Sequence, residues 1–288
     1  MGLKVWLNGE LVDQKDARIS VFDHGLLYGD GVFEGIRVYN GRVFELDAHI
    51  KRLYQSAKVI RLGISIPPQQ LSKAVEQTCN ANSVKDGYVR LVITRGIGTL
   101  GLNPFICKNP QIFIIADNIQ LYPEEFYEKG MKVISANTVR NHPLSLPPQI
   151  KSLNYLNNIL AKIEALDSNV PEAIMYNHQG YVAEATGDNV FIVRKNAIYT
   201  PPVESGSLEG ITREVVIELA KKENLQVVET DLVQFNLYTA DELFLTGTAA
   251  EVIGIVEIDG RVIDDGKPGQ ITKLLRKRFF EYAHGKTQ

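Results

Sequence analysis

Asn-Gly dipeptides between short apolar segments constrain the start of this chain more than any other feature. They occur at Asn8-Gly9 and again at Asn40-Gly41, each between alternating apolar residues. A two-residue hairpin turn needs positive φ at both central positions, which asparagine and glycine tolerate better than other residues. The N-terminal part of the chain is therefore predicted to open with antiparallel β-structure.

Helical periodicity replaces the strand pattern after the second hairpin. Between about Asp47 and Leu62 apolar residues recur at helical spacing, and Asp47 is predicted to be the N-cap. A second helix is predicted after Pro67-Pro68. Its inward-facing residues are predicted to be Leu71, Ala74, Val75, Thr78 and Cys79.

The regular pattern breaks between residues 117 and 130, a stretch that holds Pro123 and three glutamates. Beyond it, strands and amphipathic helices alternate again, which predicts a second region of mixed structure. We assign residues 1–118 to a small N-terminal domain, 119–130 to an interdomain connection and 131–288 to a large C-terminal domain. The predicted fold class is α+β.

Three helices and several strands are predicted in the second region. The helices cover Tyr155–Leu166, Thr212–Asn224 and Ile271–Tyr282, and the first carries an apolar series at helical spacing. Members of that series are Leu156, Ile159, Leu160, Ile163 and Leu166. Predicted strands include Met131–Val139, and Asp259-Gly260 predicts one more hairpin.

Composition excludes several classes of protein. The 288 residues include 31 Lys plus Arg and 34 Asp plus Glu, a net charge of −3, so the chain has no broad cationic surface. We therefore expect no nucleic-acid and no membrane partner. Cys79 and Cys107 form no CxxC motif, and no two histidines stand at metal-ligand spacing, so we expect no metal. With no signal peptide at its start, the chain is expected to be cytoplasmic.

Two segments of the second region have the composition of anion-binding loops. Gly210-Ile211-Thr212 stands where a loop enters a helix, and a helix N-terminus offers unpaired N–H groups and a partial positive charge. Residues 246–250, Thr-Gly-Thr-Ala-Ala, follow a predicted strand, where successive N–H groups can form an anion-binding nest. The alternatives are that Thr212 only caps its helix and that the second segment is an ordinary turn. Without a nucleotide motif, the pair favours a phosphorylated cofactor and a carboxylate substrate.

Three charged residues have no distinctive local context. Lys151 precedes a predicted helix, Glu184 ends a predicted strand, and Arg52 lies on a helix among other basic residues. For each of them, a solvated surface charge is the simpler interpretation when the residue is considered alone.

Several motifs along the chain form a more specific pattern together. They are HGLLYGDGVFEGIR at 24–37, HIKRL at 49–53, KSLNY at 151–155, the stretch 184–191, GITR at 210–213 and GTAAE at 247–251. In this order and spacing they resemble the fold-type IV pyridoxal-phosphate-dependent aminotransferases, and within these the branched-chain amino acid aminotransferases. The resemblance covers almost the whole length of the chain.

The resemblance implies a smaller N-terminal α/β domain and a larger C-terminal pseudo-barrel α/β domain, with pyridoxal 5′-phosphate in the interdomain cleft. Lys151 is then the catalytic residue, which binds the cofactor covalently and moves the substrate proton. Glu184 keeps the pyridine nitrogen protonated. Tyr155 donates to the phenolic oxygen of the ring, and Leu208 packs on the ring face.

Phosphate and substrate residues are also implied by the resemblance. The remaining cofactor-binding residues are Arg52, Asn189, Ile211, Thr212, Gly247 and Thr248, most of them at the phosphate. The substrate-binding residues are Tyr28, Phe33, Gly35, Arg37, Arg90, Leu102, Thr248 and Ala249. Of these, the amides of Thr248 and Ala249 bind the α-carboxylate, and Arg90 together with Tyr28 is the candidate for the side-chain carboxylate of glutamate or 2-oxoglutarate. Tyr28 and Leu102 come from a partner subunit.

The activity that the resemblance implies is ping-pong transamination of L-leucine, L-isoleucine and L-valine with 2-oxoglutarate. The partners are thus small amino acids and 2-oxo acids, with a homodimer as the minimal unit and a hexamer as the larger alternative. D-amino acid aminotransferase and aminodeoxychorismate lyase of the same fold are alternatives, as is a non-catalytic cofactor-binding protein. The D-specific family carries Arg and His in the loop after its Thr-Arg-Gly, whereas the loop here reads IGTLGLNP after Gly96.

Overall fold

The computed structural model describes residues 2–118 and 122–286, which form two compact units. One unit contains Met1–Gln120 with Ile150–Asn154, and the other contains Leu121–Gln149 with Tyr155–Gln288. The predicted connection of 119–130 begins with residues 119–121, which lie outside the described residues. Its later part contains a helix of the second unit.

The first unit is built on a six-stranded antiparallel sheet in the order β2-β1-β6-β5-β3-β4. Its strands are β1 (Lys4–Leu7), β2 (Glu10–Asp13), β3 (Gly31–Tyr39), β4 (Arg42–Val43), β5 (Gly87–Thr94) and β6 (Ile112–Asp117). Its helices are α1 (His24–Tyr28), α2 (Leu46–Val59) and α3 (Pro68–Ala81). Both predicted Asn-Gly turns are confirmed, since they join β1 to β2 and β3 to β4.

Helices α2 and α3 bury their apolar faces in the core of the first unit. The five predicted inward-facing residues of α3 are all buried, which confirms that prediction. The predicted N-cap at Asp47 is wrong, because α2 begins at Leu46 and its N-cap is Glu45, in the left-handed region. Asp47 instead lies in the first turn, where a carboxylate interacts favourably with the helix dipole.

A short segment from later in the chain pairs with the edge of β3. The N–H of Phe33 donates to the carbonyl of Lys151 and the N–H of Leu153 donates to that of Gly31, both at 3.0 Å. From the side of α2, the Ser56 hydroxyl accepts the N–H of Lys151 at 3.2 Å. The backbone of Lys151 is thus attached to both a strand and a helix of the first unit.

The second unit contains a nine-stranded mixed sheet in the order β12-β11-β10-β13-β14-β7-β8-β9, with β15 paired to β14. Its strands are β7 (Met131–Ser135), β8 (Glu172–Tyr176), β9 (Val182–Ala185), β10 (Asn189–Arg194), β11 (Ala197–Thr200), β12 (Val227–Glu229), β13 (Glu242–Gly247), β14 (Glu251–Ile258) and β15 (Arg261–Val262). Its helices are α4 (Glu124–Lys129), α5 (Leu156–Asp167), α6 (Ile211–Lys222), α7 (Gln234–Tyr238) and α8 (Gln270–Ala283).

This sheet must curl, because β9 and β10 stand five places apart in its order yet are joined by only residues 186–188. In a flat sheet, five strand spacings amount to roughly 24 Å. Four successive Cα–Cα steps reach at most about 15 Å. The predicted pseudo-barrel of the second region agrees with this curled sheet.

Helix α5 packs against β8 through its small residues rather than through its large apolar ones. Its buried positions are Asn158, Ala161 and Ala165. The predicted apolar series is exposed: Leu156, Ile159, Leu160, Ile163 and Leu166. A small-residue face allows a helix to approach a sheet closely, and it leaves the larger side chains pointing away from the core.

The remaining predicted elements of the second region differ from the structure only at their ends. Strand β7 ends at Ser135, before the predicted Val139, and α6 begins at Ile211, one residue before the predicted start. The Asp259-Gly260 hairpin is confirmed between β14 and β15. Within the described ranges, none of the helices combines the length and apolar character needed to span a bilayer.

Candidate active site

The ring of Phe33 on β3 is at the centre of one group of predicted site residues. Lys151 Nζ lies 4.8 Å from the centre of this ring, and the guanidinium carbon of Arg90 lies 4.6 Å from it. Gly35 and Arg90 are cross-strand partners in β3 and β5, so they share the sheet face that carries Phe33. The first unit thus brings together the predicted catalytic lysine and three predicted substrate residues.

Gly35 leaves space that a neighbouring tyrosine occupies. A Cβ at this position would lie 1.8 Å from the hydroxyl oxygen of Tyr88, so no larger residue fits without displacing that side chain. Tyr88 was not predicted as a site residue, although its position two residues before Arg90 on β5 places both on one face. The predicted Arg37 follows on the same face, with its guanidinium carbon 5.0 Å from the ring centre of Tyr39.

Tyr28 and Leu102 belong to a second, exposed region of the first unit. Tyr28 ends α1, and its hydroxyl donates to the carbonyl of Leu100 at 2.8 Å. Leu102 stands two residues further along that loop and is 80% exposed. The His24 ring contacts the same loop through Thr99. These contacts connect the two predicted pocket residues to each other through the loop that contains Leu100.

Arg52 is held by a carboxylate that was not predicted as a site residue. Its Nε donates to Glu34 Oε1 at 2.8 Å and its NH2 donates to Oε2 at 2.7 Å, a bidentate pair. Nδ1 of His49 also donates to Oε2, at 2.8 Å. The sequence did contain a signal for this carboxylate. Val32, Glu34 and Ile36 stand at every second position of the strand, so Glu34 lies on the same face as two buried apolar residues.

The charges around Glu34 oppose the effect of its burial. Burial alone raises the pKa of this carboxyl, but the Arg52 charge and the hydrogen bonds from Arg52 and His49 outweigh it and lower the pKa to about 2. Burial lowers the pKa of His49, and the charges of Arg52 and Lys151 lower it further. The hydrogen bond and the charge of Glu34 partly oppose this shift. The group therefore consists of an anion, a cation and a neutral imidazole at neutral pH.

In the second unit, Glu184 lies at the end of β9 and is also paired with an arginine. Arg140 donates to Glu184 Oε1 from Nε at 2.9 Å and from NH2 at 2.7 Å, and both side chains are buried. The N–H of Leu208 donates to Oε2 at 2.8 Å. Two predicted cofactor residues, Glu184 and Leu208, are thus directly connected.

Arg140 was missed by the sequence reasoning, since it lies in an irregular segment with no periodicity. Its NH1 donates to the side chains of Asn157 and Asn158 at 3.0 and 3.1 Å. These asparagines lie in the first turn of α5, and Tyr155 is the N-cap of that helix. Arg140 therefore connects the carboxylate of Glu184 to the helix end that carries Tyr155.

The first predicted anion-binding segment is at the N-terminus of α6. The helix begins at Ile211 with Gly210 as its N-cap, so the alternative in which Thr212 caps the helix is wrong. A Cβ on Gly210 would lie 2.0 Å from Asn189 Oδ1. Asn189 cannot easily move, because its Nδ2 donates to the carbonyl of Leu208 at 3.0 Å.

The second predicted segment lies beside the first. Gly247 ends β13, and a Cβ there would lie 1.8 Å from Asp188 Oδ1. The hydroxyl of Thr246 is buried and has no hydrogen-bond partner among the described residues. Thr246 pairs in register with Asn189, which also contacts Gly210. Both anion-binding segments therefore meet at Asn189.

The sequence profile of the family described as amino-transferase class IV matches residues 31–258. The chain belongs to the class IV aminotransferases. It is 52% identical over 278 residues to a protein of Methanocaldococcus jannaschii whose name assigns it provisionally to the branched-chain-amino-acid aminotransferases, with 96% of this chain and 95% of that one covered. It is also 37% identical to the branched-chain-amino-acid aminotransferase of Pseudomonas aeruginosa, with 99% and 94% covered.

Solved structures give the same result for this class IV aminotransferase. The T.th. branched-chain amino acid aminotransferase with pyridoxamine 5′-phosphate has a TM-score of 0.96 and 37% identity, with 100% of this chain and 96% of that chain covered. The Escherichia coli enzyme has a TM-score of 0.96 and 34% identity, with 100% and 97% covered. The predicted fold type IV is confirmed.

We expect Gly210→Ala to weaken binding of pyridoxal 5′-phosphate by at least about tenfold, since the new Cβ must displace Asn189 and with it the junction of the two anion-binding segments. Titration of the apoprotein, followed by absorbance, measures the Kd. Gly187→Ala is the matched control, because a Cβ at Gly187 meets nothing within 4 Å. Equal Kd values for the two variants would contradict this account of the site.

Proposed function

We propose that this aminotransferase moves the amino group of L-leucine, L-isoleucine or L-valine to 2-oxoglutarate, in a ping-pong reaction that yields branched-chain 2-oxo acids and L-glutamate. The observation that carries the proposal is the arrangement around Phe33. An amine, Lys151, and a guanidinium, Arg90, both contact one apolar ring. Such a pocket offers apolar surface to an aliphatic side chain and a cation to a carboxylate.

Ligands in related structures support both kinds of substrate. One structure of the T.th. branched-chain aminotransferase contains N-(5′-phosphopyridoxyl)-L-glutamate, with 36% identity to this chain and a TM-score of 0.94. Another contains 4-methylvaleric acid, a branched aliphatic acid, with 37% identity and a TM-score of 0.94. That related enzyme therefore binds both a ligand with a glutamate skeleton and a ligand with a branched carbon chain.

The cofactor is pyridoxal 5′-phosphate, and the residues of the second unit fit its charged groups. The α6 N-terminus, the Gly210 and Gly247 backbones that a Cβ would obstruct, and the buried unpartnered hydroxyl of Thr246 together suit an anion. When bound, the cofactor supplies a carbonyl carbon and an electron-withdrawing ring, which allow an amino group to be removed from one amino acid and given to a 2-oxo acid.

Lys151 is assigned the covalent attachment of the cofactor and the proton transfer at the substrate Cα. A positioned amine contributes on the order of 10²–10⁴-fold to such a transfer, provided that its geometry is fixed. The hydrogen bonds of the Lys151 main chain to Phe33 and Ser56 fix the backbone from which this amine extends. Lys151 is the single catalytic residue in this proposal.

Glu184 is assigned to the protonated ring nitrogen of the cofactor. Two nitrogens of Arg140 bind Oε1 of this carboxylate, which orients the side chain. Leu208 is assigned to the ring face, and its N–H bond to Glu184 supports that placement. Tyr155 is assigned to the phenolic oxygen of the ring.

The phosphate is assigned to the anion-binding segments and to one arginine. Donors come from the N–H groups of Ile211 and Thr212 at the start of α6, from the Thr212 hydroxyl and from Thr248. Arg52 supplies a positive charge, while Asn189 and Gly247 shape the segments from behind. The family resemblance and this local geometry both support the assignment.

The substrate α-carboxylate is assigned to the N–H groups of Thr248 and Ala249, next to Gly247. Phe33, Gly35 and Arg37 supply the side-chain pocket from one face of β3, with Arg90 from β5. The absence of a side chain at Gly35 supports this, because Tyr88 can then reach across the strand.

A homodimer is proposed as the active unit, in which Tyr28 and Leu102 enter the partner's pocket. Exposed apolar side chains surround these two residues in α1, in the segment before it and in the connected loop: Val21, Phe22, Leu26, Leu27, Leu100 and Phe105. A patch of this kind on one protein surface is typical of a protein–protein contact.

We expect Arg90→Ala to raise the KM for 2-oxoglutarate by at least about tenfold while leaving kcat/KM for L-leucine within about threefold, since the guanidinium is needed only by a side-chain carboxylate. Separate half-reaction assays with each substrate measure the two constants. Equal losses for both substrates would contradict the assigned role of Arg90.

The reaction itself is tested by steady-state assays that compare branched-chain L-amino acids with D-alanine and aminodeoxychorismate. We expect turnover of L-leucine, L-isoleucine and L-valine with 2-oxoglutarate, and at least about a hundredfold lower kcat/KM for D-alanine, because the loop after Gly96 lacks the Arg and His of the D-specific family. Preferred turnover of D-alanine, or of aminodeoxychorismate, would overturn the substrate assignment. Cofactor binding without any turnover would favour a non-catalytic binding protein.

A further inference from the structure

A carboxylate occupies a core position of the first unit. Glu34 lies on the face of β3 that carries Val32 and Ile36, both fully buried in the hydrophobic core. The side chains of Glu34 and His49 are 0% exposed and that of Arg52 is 9% exposed. Burying such groups is costly, and an apolar set of similar volume is often as stable or more so.

Three polar side chains on one face of α2 bind Glu34 of β3 or the segment at the edge of that strand. His49, Arg52 and Ser56 follow one another at three- and four-residue spacing, so they lie along one side of the helix. The first two bind the Glu34 carboxylate, and Ser56 accepts the N–H of Lys151. The helix therefore links the carboxylate to the backbone of the proposed catalytic lysine.

His49 makes its contribution as a neutral ring. Burial lowers its pKa, so at neutral pH Nδ1 is the nitrogen that carries the proton and donates it to Glu34. Its Nε2 is buried and makes no hydrogen bond to any described residue. An incompletely satisfied polar group in a core reduces stability, which argues that the arrangement is not there for stability alone.

We infer that Glu34 is a positioning residue, which holds the Arg52 guanidinium in the orientation that binds the cofactor phosphate, while His49 fixes the carboxylate. The inference rests on the proposed function, in which Arg52 binds that phosphate. A carboxylate that takes both Nε and NH2 fixes the plane of the guanidinium. Arg52 and Ser56 are one turn of α2 apart, about 6 Å along the axis. The proposed phosphate-binding cation and the hydroxyl that binds the backbone of Lys151 therefore lie on successive turns of one helix.

A purely structural role for Glu34 would have a different effect on ligand binding. If the carboxylate only neutralised a buried arginine, its loss would lower stability and would weaken every ligand of the site alike. If Glu34 positions Arg52, its loss reduces only the contribution of the phosphate group to cofactor binding. The ratio of the Kd for pyridoxal to the Kd for pyridoxal 5′-phosphate, measured on the apoprotein, isolates that contribution.

We expect Glu34→Gln to lower this ratio at least tenfold, through weaker binding of pyridoxal 5′-phosphate with an unchanged Kd for pyridoxal. Equilibrium dialysis with absorbance detection measures both constants, and circular dichroism establishes that the variant is folded. An unchanged or larger ratio in the folded variant would overturn the inference.

A double-mutant cycle tests whether Glu34 acts through Arg52. Arg52→Ala is expected to lower the ratio by itself, and adding Glu34→Gln to it should produce no further change. A further loss in the double variant would overturn the inference. The matched control is Asp30→Asn, which removes the carboxylate of another bidentate pair in this unit, Asp30–Arg95 at 2.9 Å, and should leave the ratio unchanged.

If Glu34→Gln does not fold, a second variant tests the positioning role of Glu34. His49→Leu removes one of the three hydrogen bonds to the carboxylate and keeps the pair with Arg52, so the ratio should fall about fivefold. An unchanged ratio in folded His49→Leu would then overturn the inference. Failure of the proposed function looks different, because the wild-type protein would then not turn over branched-chain L-amino acids, or its apoprotein would bind pyridoxal 5′-phosphate no more tightly than pyridoxal.

Discussion

The main-chain hydrogen bonds between Lys151 and the edge of β3 are the interactions on which the rest of the first unit's site depends. They place the lysine backbone next to Phe33, whose ring also contacts Arg90. Because side chains alternate along a strand, the next residue of β3, Glu34, points to the opposite face and binds α2. One strand thus supplies the surface next to the amine on one side and anchors a helix on the other.

In the second unit, the curvature of the sheet and the pairing of its strands position the site residues. Strands β9 and β10 stand far apart in the sheet order, and the curl lets residues 186–188 connect the strand of Glu184 to Asn189, the first residue of β10. Asn189 then pairs with Thr246 of β13 and contacts Gly210 at the start of α6. The anion-binding segments therefore depend on the pairing of β10 with β13 rather than on either loop alone.

Local patterns in the sequence predicted the local structure well. The Asn-Gly hairpins and the buried face of α3 follow from turn chemistry and helical periodicity, which act over a few residues. The apolar series of α5 correctly indicated a helix, although that helix packs through its small residues and leaves the series exposed. The cap of α2 shifted because Glu45 adopts a left-handed conformation that no simple capping pattern indicates.

The site was only partly predictable, because local patterns do not indicate contacts between residues that are distant in the sequence. Neither the pairing of Lys151 with β3 nor the ion pair of Arg140 with Glu184 has a local pattern, because each joins residues distant in the sequence. The role of Lys151 came from the family resemblance, not from periodicity. Glu34 was also not predicted, although a charged residue between two core positions of a strand is visible in the sequence itself.

Borohydride reduction of the protein loaded with pyridoxal 5′-phosphate tests whether Lys151 carries the cofactor. Reduction makes the attachment permanent, and a modified lysine resists trypsin. The account predicts a phosphopyridoxyl group on Lys151 within one uncleaved peptide, residues 141–162. A label on any other lysine, or no label in protein that binds the cofactor, would contradict it.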